Sequence, residues 1–202
     1  MLIYIVRHGL TEWNKLKKLQ GAADVPLAKE GILLAKKTGE ALQGVKFDIC
    51  FTSPLSRAKQ TAECVLGERD IPIIPDKRIQ EINFGVLDWN QVRDAEGNYI
   101  DPQIETFFRD TVKFKRPENG EDIFDVIART KEFWDEKISD PDLADKTILI
   151  ASHGCAVRAL LQNVDPDPDN FWRCSVPPNC CVNLVEVKNG KTTLLEEDKV
   201  YA

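Results

Sequence analysis

The chain has 202 residues, 27 Lys and Arg against 33 Asp and Glu for a formal net charge of −6, and 43% hydrophobic residues. These values suit one sizeable globular core and argue against a nucleic-acid surface, which shows a basic excess or patch. The longest apolar runs, such as Leu2 to Val6 and Ile148 to Ala151, fall far short of the roughly 18 to 20 residues of a membrane span. A strand-like run starts at Leu2 with no basic, cleavable leader pattern before it, so a cytoplasmic protein is expected. Six cysteines, with no C-x-x-C pair, read as reduced small hydrophobes, and no metal site is expected.

Leu2 to Val6 is short, β-branched and almost wholly apolar, as a strand covered on both faces should be. It stops at Arg7-His8-Gly9. From Ala28 to Leu42 the positions Ile32, Ala35, Gly39 and Leu42 recur at helical spacing with charges between them, which predicts an amphipathic helix. Phe47 to Thr52 reads as a second buried strand, broken at Ser53-Pro54, and Ser56 to Leu66 restores a helical period with Arg57 in its first turn. Ile71 to Ile74 gives a third strand. The segment 85–119 has weak periodicity and many aromatics and charges, among them Trp89, Phe107 and Phe108. It reads as an insertion that covers a site, with its aromatics packed on the core. Gly120 to Ile138 is helical by its Ile123, Ile127, Thr130 and Trp134 face; Thr147 to Ala151 is another buried strand, ending at Ser152-His153-Gly154 and followed by a helix through Val157, Leu160 and Leu161. Cys181 to Val187 and Thr192 to Glu196 flank Asn189-Gly190, a strong hairpin signal.

Repeated strand, turn and helix predicts an α/β fold: a three-layer sandwich with a mainly parallel central sheet and helices on both faces, in one domain over 1–202. In such sheets ligands bind beyond the carboxyl ends of the strands. Three strands here end in polar residues of one kind, after Val6, after Thr52 and after Ala151. The only two histidines, His8 and His153, both lie at such a strand-to-glycine turn. With Arg7 beside the first and Arg57 at a helix start, they define a pocket suited to a tetrahedral dianion.

Phosphoryl transfer needs an in-line nucleophile, neutralisation of the equatorial oxygens and a proton for the leaving oxygen. A neutral imidazole can supply the first and the arginines the second, without metal. A partly desolvated carboxyl group would supply the proton. Glu81, after an apolar strand and before Gly85, is the candidate, although spacing alone singles it out only weakly among 33 acidic residues.

Ile5-Val6-Arg7-His8-Gly9-Leu10-Thr11-Glu12-Trp13-Asn14 closely resembles the opening signature of the histidine phosphatase superfamily, the phosphoglycerate mutase-like family. The segments 20–27, 52–62, Glu81 with Gly85, Gly120-Glu121 and 151–154 are similar to the family's later blocks, in the same order. The resemblance implies the family's fold. It further implies that His8 is the phosphorylated nucleophile, that Arg7, Arg57 and His153 hold the phosphoryl group, and that Glu81 is the acid and base. By the same carry-over Asn14 touches the phosphate pocket, Gln20 and Gly21 line its edge, and Gly154 follows the second histidine in it.

The chain also departs from the family. Leu10 stands where glutamate is common, and Ile82-Asn83-Phe84 follow Glu81 where the cofactor-dependent mutases carry arginine, histidine and tyrosine. A mutase must grip a bisphosphorylated intermediate and exclude water. Arg93, Arg109, Lys113, Lys115 and Arg116 offer charge from the insertion, but a charge run is usually a solvated face. The expectation is therefore a metal-independent phosphatase acting on a phosphate monoester of a small metabolite, without cofactor. Three alternatives stay open: a phosphoglycerate mutase, which would need 2,3-bisphosphoglycerate; a non-catalytic phospho-ligand binding module; and a binder of a protein partner through Trp89, Phe107 and Phe108 as exposed anchors. A monomer or homodimer is expected, with neither nucleic acid nor membrane as a partner. Trp13, Leu19 and Val25 are candidates to face the part of the substrate beyond the phosphate. Cys155, next to His153-Gly154, either lines the pocket or is buried filler.

Overall fold

In a computed structural model, described for residues 1–167 and 169–201, four strands run parallel: β1 (Leu2–Arg7), β2 (Ile49–Thr52), β3 (Ile73–Pro75) and β4 (Thr147–Ser152). The terminal hairpin, β5 (Val182–Lys188) and β6 (Lys191–Lys199), adds two antiparallel strands, giving the sheet order β3-β2-β4-β1-β5-β6. Asn189 and Gly190 take φ of 52° and 74° in its two-residue turn, the left-handed pair that matches the twist of the flanking strands.

Side chains alternate across the sheet, as the strand period of two requires. Ile3, Ile5, Ile148, Ile150 and Phe51 pack with Phe133, Trp134, Val157 and Leu160 of the helices α5 (Ile123–Ser139) and α6 (Gly154–Leu161). Val6, Leu149, Ala151 and Cys50 pack instead with Leu42, Ala62 and Val65, next to or within α2 (Lys29–Ala41) and α3 (Ser56–Leu66). The three layers follow from this alternation. The contact face of α2 is built from Gly31, Ala35, Thr38 and Gly39, while Ile32 is only half-buried. Small residues bring the helix close: a Cβ on Gly31 would lie 2.1 Å from the Leu10 carbonyl oxygen. The helix is thereby pressed against the turn that follows His8.

A third core lies beside the sheet rather than in it. Ile82, Phe84, Leu87, Ile104, Phe107 and Phe114 pack on Ile123, Val126, Ala156 and Ala159 of α5 and α6. Most of these side chains come from the 85–119 segment, which carries the helix α4 (Pro102–Arg109) and short 3-10 turns at Gly85–Leu87 and Thr111–Lys113. The segment closes on itself at its base. Val86 N–H donates to the Glu118 carbonyl and Glu121 N–H to that of Asn83. Gly85 has φ of +53° and no room for a Cβ, which would stand 2.0 Å from the Glu118 oxygen. The aromatics do not all pack inward: Phe107 is buried, but Trp89 is 64% exposed, its ring tilted by 58° against that of Trp13 with centroids 5.0 Å apart. Among the described residues no helix is long and apolar enough to cross a membrane.

Candidate active site

Adjacent parallel strands deliver the two histidines to one point. β1 and β4 pair in the register Arg7 with Ser152, so the next residue on each strand is a histidine, and their ring centroids lie 5.2 Å apart. His8 N–H donates to the Ser152 carbonyl at 2.8 Å. Both rings are buried.

Their hydrogen bonds fix the tautomers. Nδ1 of His8 is 2.7 Å from the Gly9 carbonyl oxygen. A carbonyl only accepts, so Nδ1 carries the proton and Nε2 keeps its lone pair. Nδ1 of His153 is 3.1 Å from Nε of Arg57. A guanidinium only donates, so Nδ1 of His153 accepts and its Nε2 carries the proton. That Nε2 is buried without a protein partner. Burial, reinforced by Arg57 and then by Arg7 for His8 and by several nearby cations for His153, drives both imidazole pKa values well below the ordinary histidine value. Both rings are neutral at physiological pH.

Arg57 sits differently from the expected phosphate clamp. It is fully buried and does not line the cavity that opens over His8. Its guanidinium donates to the carbonyls of Ala23 at 2.7 Å, Gly21 at 2.8 Å and Gln20 at 3.3 Å, besides His153. It therefore fastens the 20–23 loop behind the second histidine. Burial draws its pKa down to about 10, which leaves it charged at neutral pH. Gly21 likewise does not line the cavity: its N–H donates to Asp88 Oδ1 at 2.7 Å, and a Cβ there would meet the Ile82 carbonyl at 2.3 Å. Asp88, which the sequence did not single out, also accepts from Ala23 N–H and is the acidic anchor of this loop.

Glu81 reaches the same point from the loop after β3. Its Oε2 accepts from Cys155 N–H and its Oε1 from Ala156 N–H, both at 3.2 Å, and Ile82 N–H adds a bond at 3.0 Å. The carboxyl group thus occupies the first turn of α6, where no side chain of the preceding histidine caps the helix. These N–H groups and the nearby arginines favour the charged form, yet desolvation outweighs them and the pKa is raised above the usual carboxylate value. The backbone behind Glu81 is held by Arg129. This guanidinium donates to the carbonyls of Arg78, Gln80 and Glu81 at 2.8, 2.7 and 3.1 Å, and pairs with both oxygens of Glu121 at 2.9 and 3.0 Å. Glu121 also accepts from Asn83 N–H at 2.9 Å.

A cavity of about 430 Å³ opens over these groups. Its inner end is formed by Arg7, His8, Asn14, Gln20, Glu81 and Gly154. Arg7 donates through one terminal nitrogen to the Pro177 carbonyl, while its Nε is buried and unpartnered; so is Nε2 of Gln20, whose oxygen accepts from Thr11 at 2.6 Å. Together with Nε2 of His153, three buried N–H donors stand without protein acceptors at or beside one cavity. Buried donors seldom go without an acceptor, which a ligand or an ordered water in this cavity would supply. Asn179, absent from the sequence reading, donates to the His8 carbonyl at 3.0 Å and reaches Asn14 Oδ1 at 3.4 Å. It lies in a proline-rich turn with no periodicity to mark it.

Farther out the wall is Leu19, Phe84, Val92, Phe107, Phe108 and Trp172. Of the three residues expected to face the rest of a substrate, only Leu19 does so; Trp13 and Val25 lie outside the lining. Cys155 both lines the cavity and is buried, and its thiol pKa is pushed well above the ordinary value, chiefly by desolvation. A thiol so placed is a poor target for oxidation.

Comparison with known proteins gives this arrangement its class. The family model described as histidine phosphatase superfamily (branch 1) matches residues 3–198, and the chain belongs to that superfamily. It is 32% identical to a 2,3-bisphosphoglycerate-dependent phosphoglycerate mutase 2 of Gloeobacter violaceus over 167 residues, covering 81% of this chain and 75% of that protein. Among solved structures it is similar to YhfR of Bacillus stearothermophilus, with a TM-score of 0.89 and 30% identity over 98% of this chain and 97% of that one. The α-ribazole phosphatase of Shigella flexneri superposes with a TM-score of 0.83 at 25% identity, covering 100% and 96%.

Proposed function

We propose that the protein is a metal-independent phosphatase that hydrolyses a phosphate monoester of a small cytoplasmic metabolite through a phosphohistidine on His8. The observation that carries this reading is the pair of opposed tautomers. The free lone pair on His8 Nε2 is a nucleophile, and the N–H on His153 Nε2 is a donor for an equatorial phosphoryl oxygen. Arg7 Nε and Gln20 Nε2 supply further donors to the same group.

In the first half-reaction His8 Nε2 attacks phosphorus, the bond to the ester oxygen breaks, and Glu81 gives its proton to that leaving oxygen. The raised pKa of Glu81 keeps a protonated fraction available. In the second, the Glu81 carboxylate takes a proton from water, whose oxygen attacks the phosphohistidine. The N–P bond breaks, inorganic phosphate leaves, and His8 and Glu81 return to their starting states. Arg57 acts in this scheme by orienting His153 and by holding the 20–23 loop, with its charge felt through the neighbouring imidazole.

Hydrolysis is favoured over mutation by the turn after Glu81. Ile82 is buried, and Phe84 lines the cavity, so this turn carries none of the polar side chains that follow the glutamate in the cofactor-dependent mutases. Similarity to the mutases supports the shared phosphoenzyme half of the reaction and does not choose its second acceptor. A steady-state assay in EDTA chooses. Phosphate release from p-nitrophenyl phosphate and 3-phosphoglycerate that is lost in His8→Ala supports hydrolysis. Conversion of 3-phosphoglycerate to its 2-isomer only with 2,3-bisphosphoglycerate would establish the mutase instead, and no turnover of any ester would favour a binding module.

A further inference from the structure

The outer part of the cavity carries charge that the catalytic half does not use. The lining of the whole cavity holds the cations Arg7, Lys17, Lys18 and Arg93 against one carboxylate, Glu81, in a chain of net charge −6. Only Arg7 belongs to the phosphoryl end. Among the described residues Lys17, Lys18 and Arg93 form no ion pair, whereas Arg109, Lys113 and Arg116 of the same insertion pair with Glu105, Asp110 and Asp122 away from the cavity.

The three free cations are brought together by the backbone. Segments 17–19 and 89–92, some seventy residues apart in the chain, are joined by hydrogen bonds from Leu19 N–H to Asn90, Trp89 N–H to Leu19 and Val92 N–H to Lys17. Two non-glycine residues of this seam adopt the left-handed region, Lys17 at φ 52° and Trp89 at φ 80°, a strained conformation that persists where surrounding structure enforces it. Arg93 is set in place by stacking 3.8 Å over the Tyr99 ring and by one bond to the Gly97 carbonyl at 2.6 Å. These uses leave most of its five N–H donors available. Lys17 is exposed and Lys18 and Arg93 are half-buried, in contrast to the buried His8 and Gln20, so the cations ring the solvent end. Phe84, Phe107, Phe108 and Trp172 lie along the same wall.

We propose that Lys17, Lys18 and Arg93 form a second anion subsite at the mouth of the cavity, and that the substrate is a phosphate monoester with a flat apolar body and a further anionic group at its far end. The aromatic wall fits the body, and the volume exceeds what a three-carbon phosphate fills. The proposal rests on the phosphatase reading for the placement of the ester.

The test compares 2-naphthyl phosphate with 6-carboxy-2-naphthyl phosphate on wild type and on the triple variant Lys17→Ala, Lys18→Ala, Arg93→Ala. In wild type kcat/KM for the carboxylated ester is expected to be about tenfold higher, through KM, as two or three partly solvated charge contacts would give. The preference should fade with added salt. In the triple variant it should vanish, with 2-naphthyl phosphate and 3-phosphoglycerate unchanged. Equal rates for the two esters in wild type, or equal losses for both in the variant, would overturn the subsite. Calorimetric binding of 6-hydroxy-2-naphthoate against 2-naphthol gives the same comparison without turnover. If no ester is hydrolysed, the phosphatase reading fails while the subsite is still decided by that binding difference. A triple variant most impaired toward 3-phosphoglycerate would contradict the proposal and assign the cations to a phosphoglycerate site.

Discussion

The Nε of Arg57 lies 3.1 Å from Nδ1 of His153, so a buried guanidinium decides which nitrogen of the second histidine carries its proton. His8 takes the opposite tautomer from the Gly9 carbonyl. With only two histidines in the chain, long-range nitrogen–proton NMR correlation at pH 7.5 should show one ring protonated at Nδ1 and the other at Nε2, with neither an imidazolium. Arg57→Met should release the preference of His153 and leave that of His8. Two rings with the same tautomer would contradict the geometry.

Glu81→Gln should separate the two half-reactions. Without a proton donor, turnover of an alkyl phosphate is expected to fall by about 10² to 10⁴-fold. p-Nitrophenyl phosphate, whose leaving group needs little protonation, should still phosphorylate His8 and give a burst followed by slow turnover. In wild type the acid limb of kcat/KM belongs to His8 and should lie well below 6.5, because the nucleophile stays neutral to lower pH. The alkaline limb belongs to the protonated Glu81 and should lie above the usual carboxylate value. Loss of the alkaline limb in Glu81→Gln checks that assignment.

Arg129 does not itself line the cavity over the phosphoryl end but holds the carbonyls of Arg78, Gln80 and Glu81 from behind. Arg129→Ala should therefore lower kcat by about 10²-fold, the scale of a displaced catalytic group, with KM little changed and the alkaline limb moved. Arg129→Lys, which cannot pair with both Glu121 oxygens, should rescue only in part. A loss confined to thermal stability would make Arg129 structural only.

The histidines also set the acid stability. Their folded pKa values lie below the unfolded value, so the unfolded chain takes up protons that the folded one refuses. Stability is complete above pH 6.5 and falls as pH drops through it. Between pH 7.5 and 5.5 the pair is expected to cost stability, opposed by Glu81, whose raised pKa acts in the other sense. Urea unfolding of wild type against the His8→Asn, His153→Asn double variant isolates the histidines: the variant should lose less stability over that interval. Parallel pH curves would show that the folded rings titrate normally.

Much of this was legible because strand ends and glycine turns are local signals. The runs ending at Val6 and Ala151 showed period and punctuation, and the parallel pairing of β1 with β4 follows from their apolar character. The strand edges were less so: Phe47 precedes β2, and β3 begins at Ile73 rather than Ile71. Glu81 came from its place in a resemblance, since one carboxylate among 33 carries no spacing signal of its own. The indirect part of Arg57 was hidden. A sequence shows a cation at a helix start but not that three carbonyls of a distant loop claim its N–H groups. Lys17, Lys18 and Arg93 were equally invisible as a group, because the seam that joins them is irregular backbone with two left-handed residues.

The central claim is a covalent phosphoryl group on His8 that water removes. Rapid quench of the enzyme with a ³²P-labelled monoester should trap an acid-labile, base-stable phosphoenzyme mapping to the peptide containing His8. Reaction in H₂¹⁸O should place one heavy oxygen in the released phosphate and leave the alcohol unlabelled. Phosphate release with no phosphoenzyme in wild type, or a phosphoenzyme that survives in His8→Ala, would contradict the account.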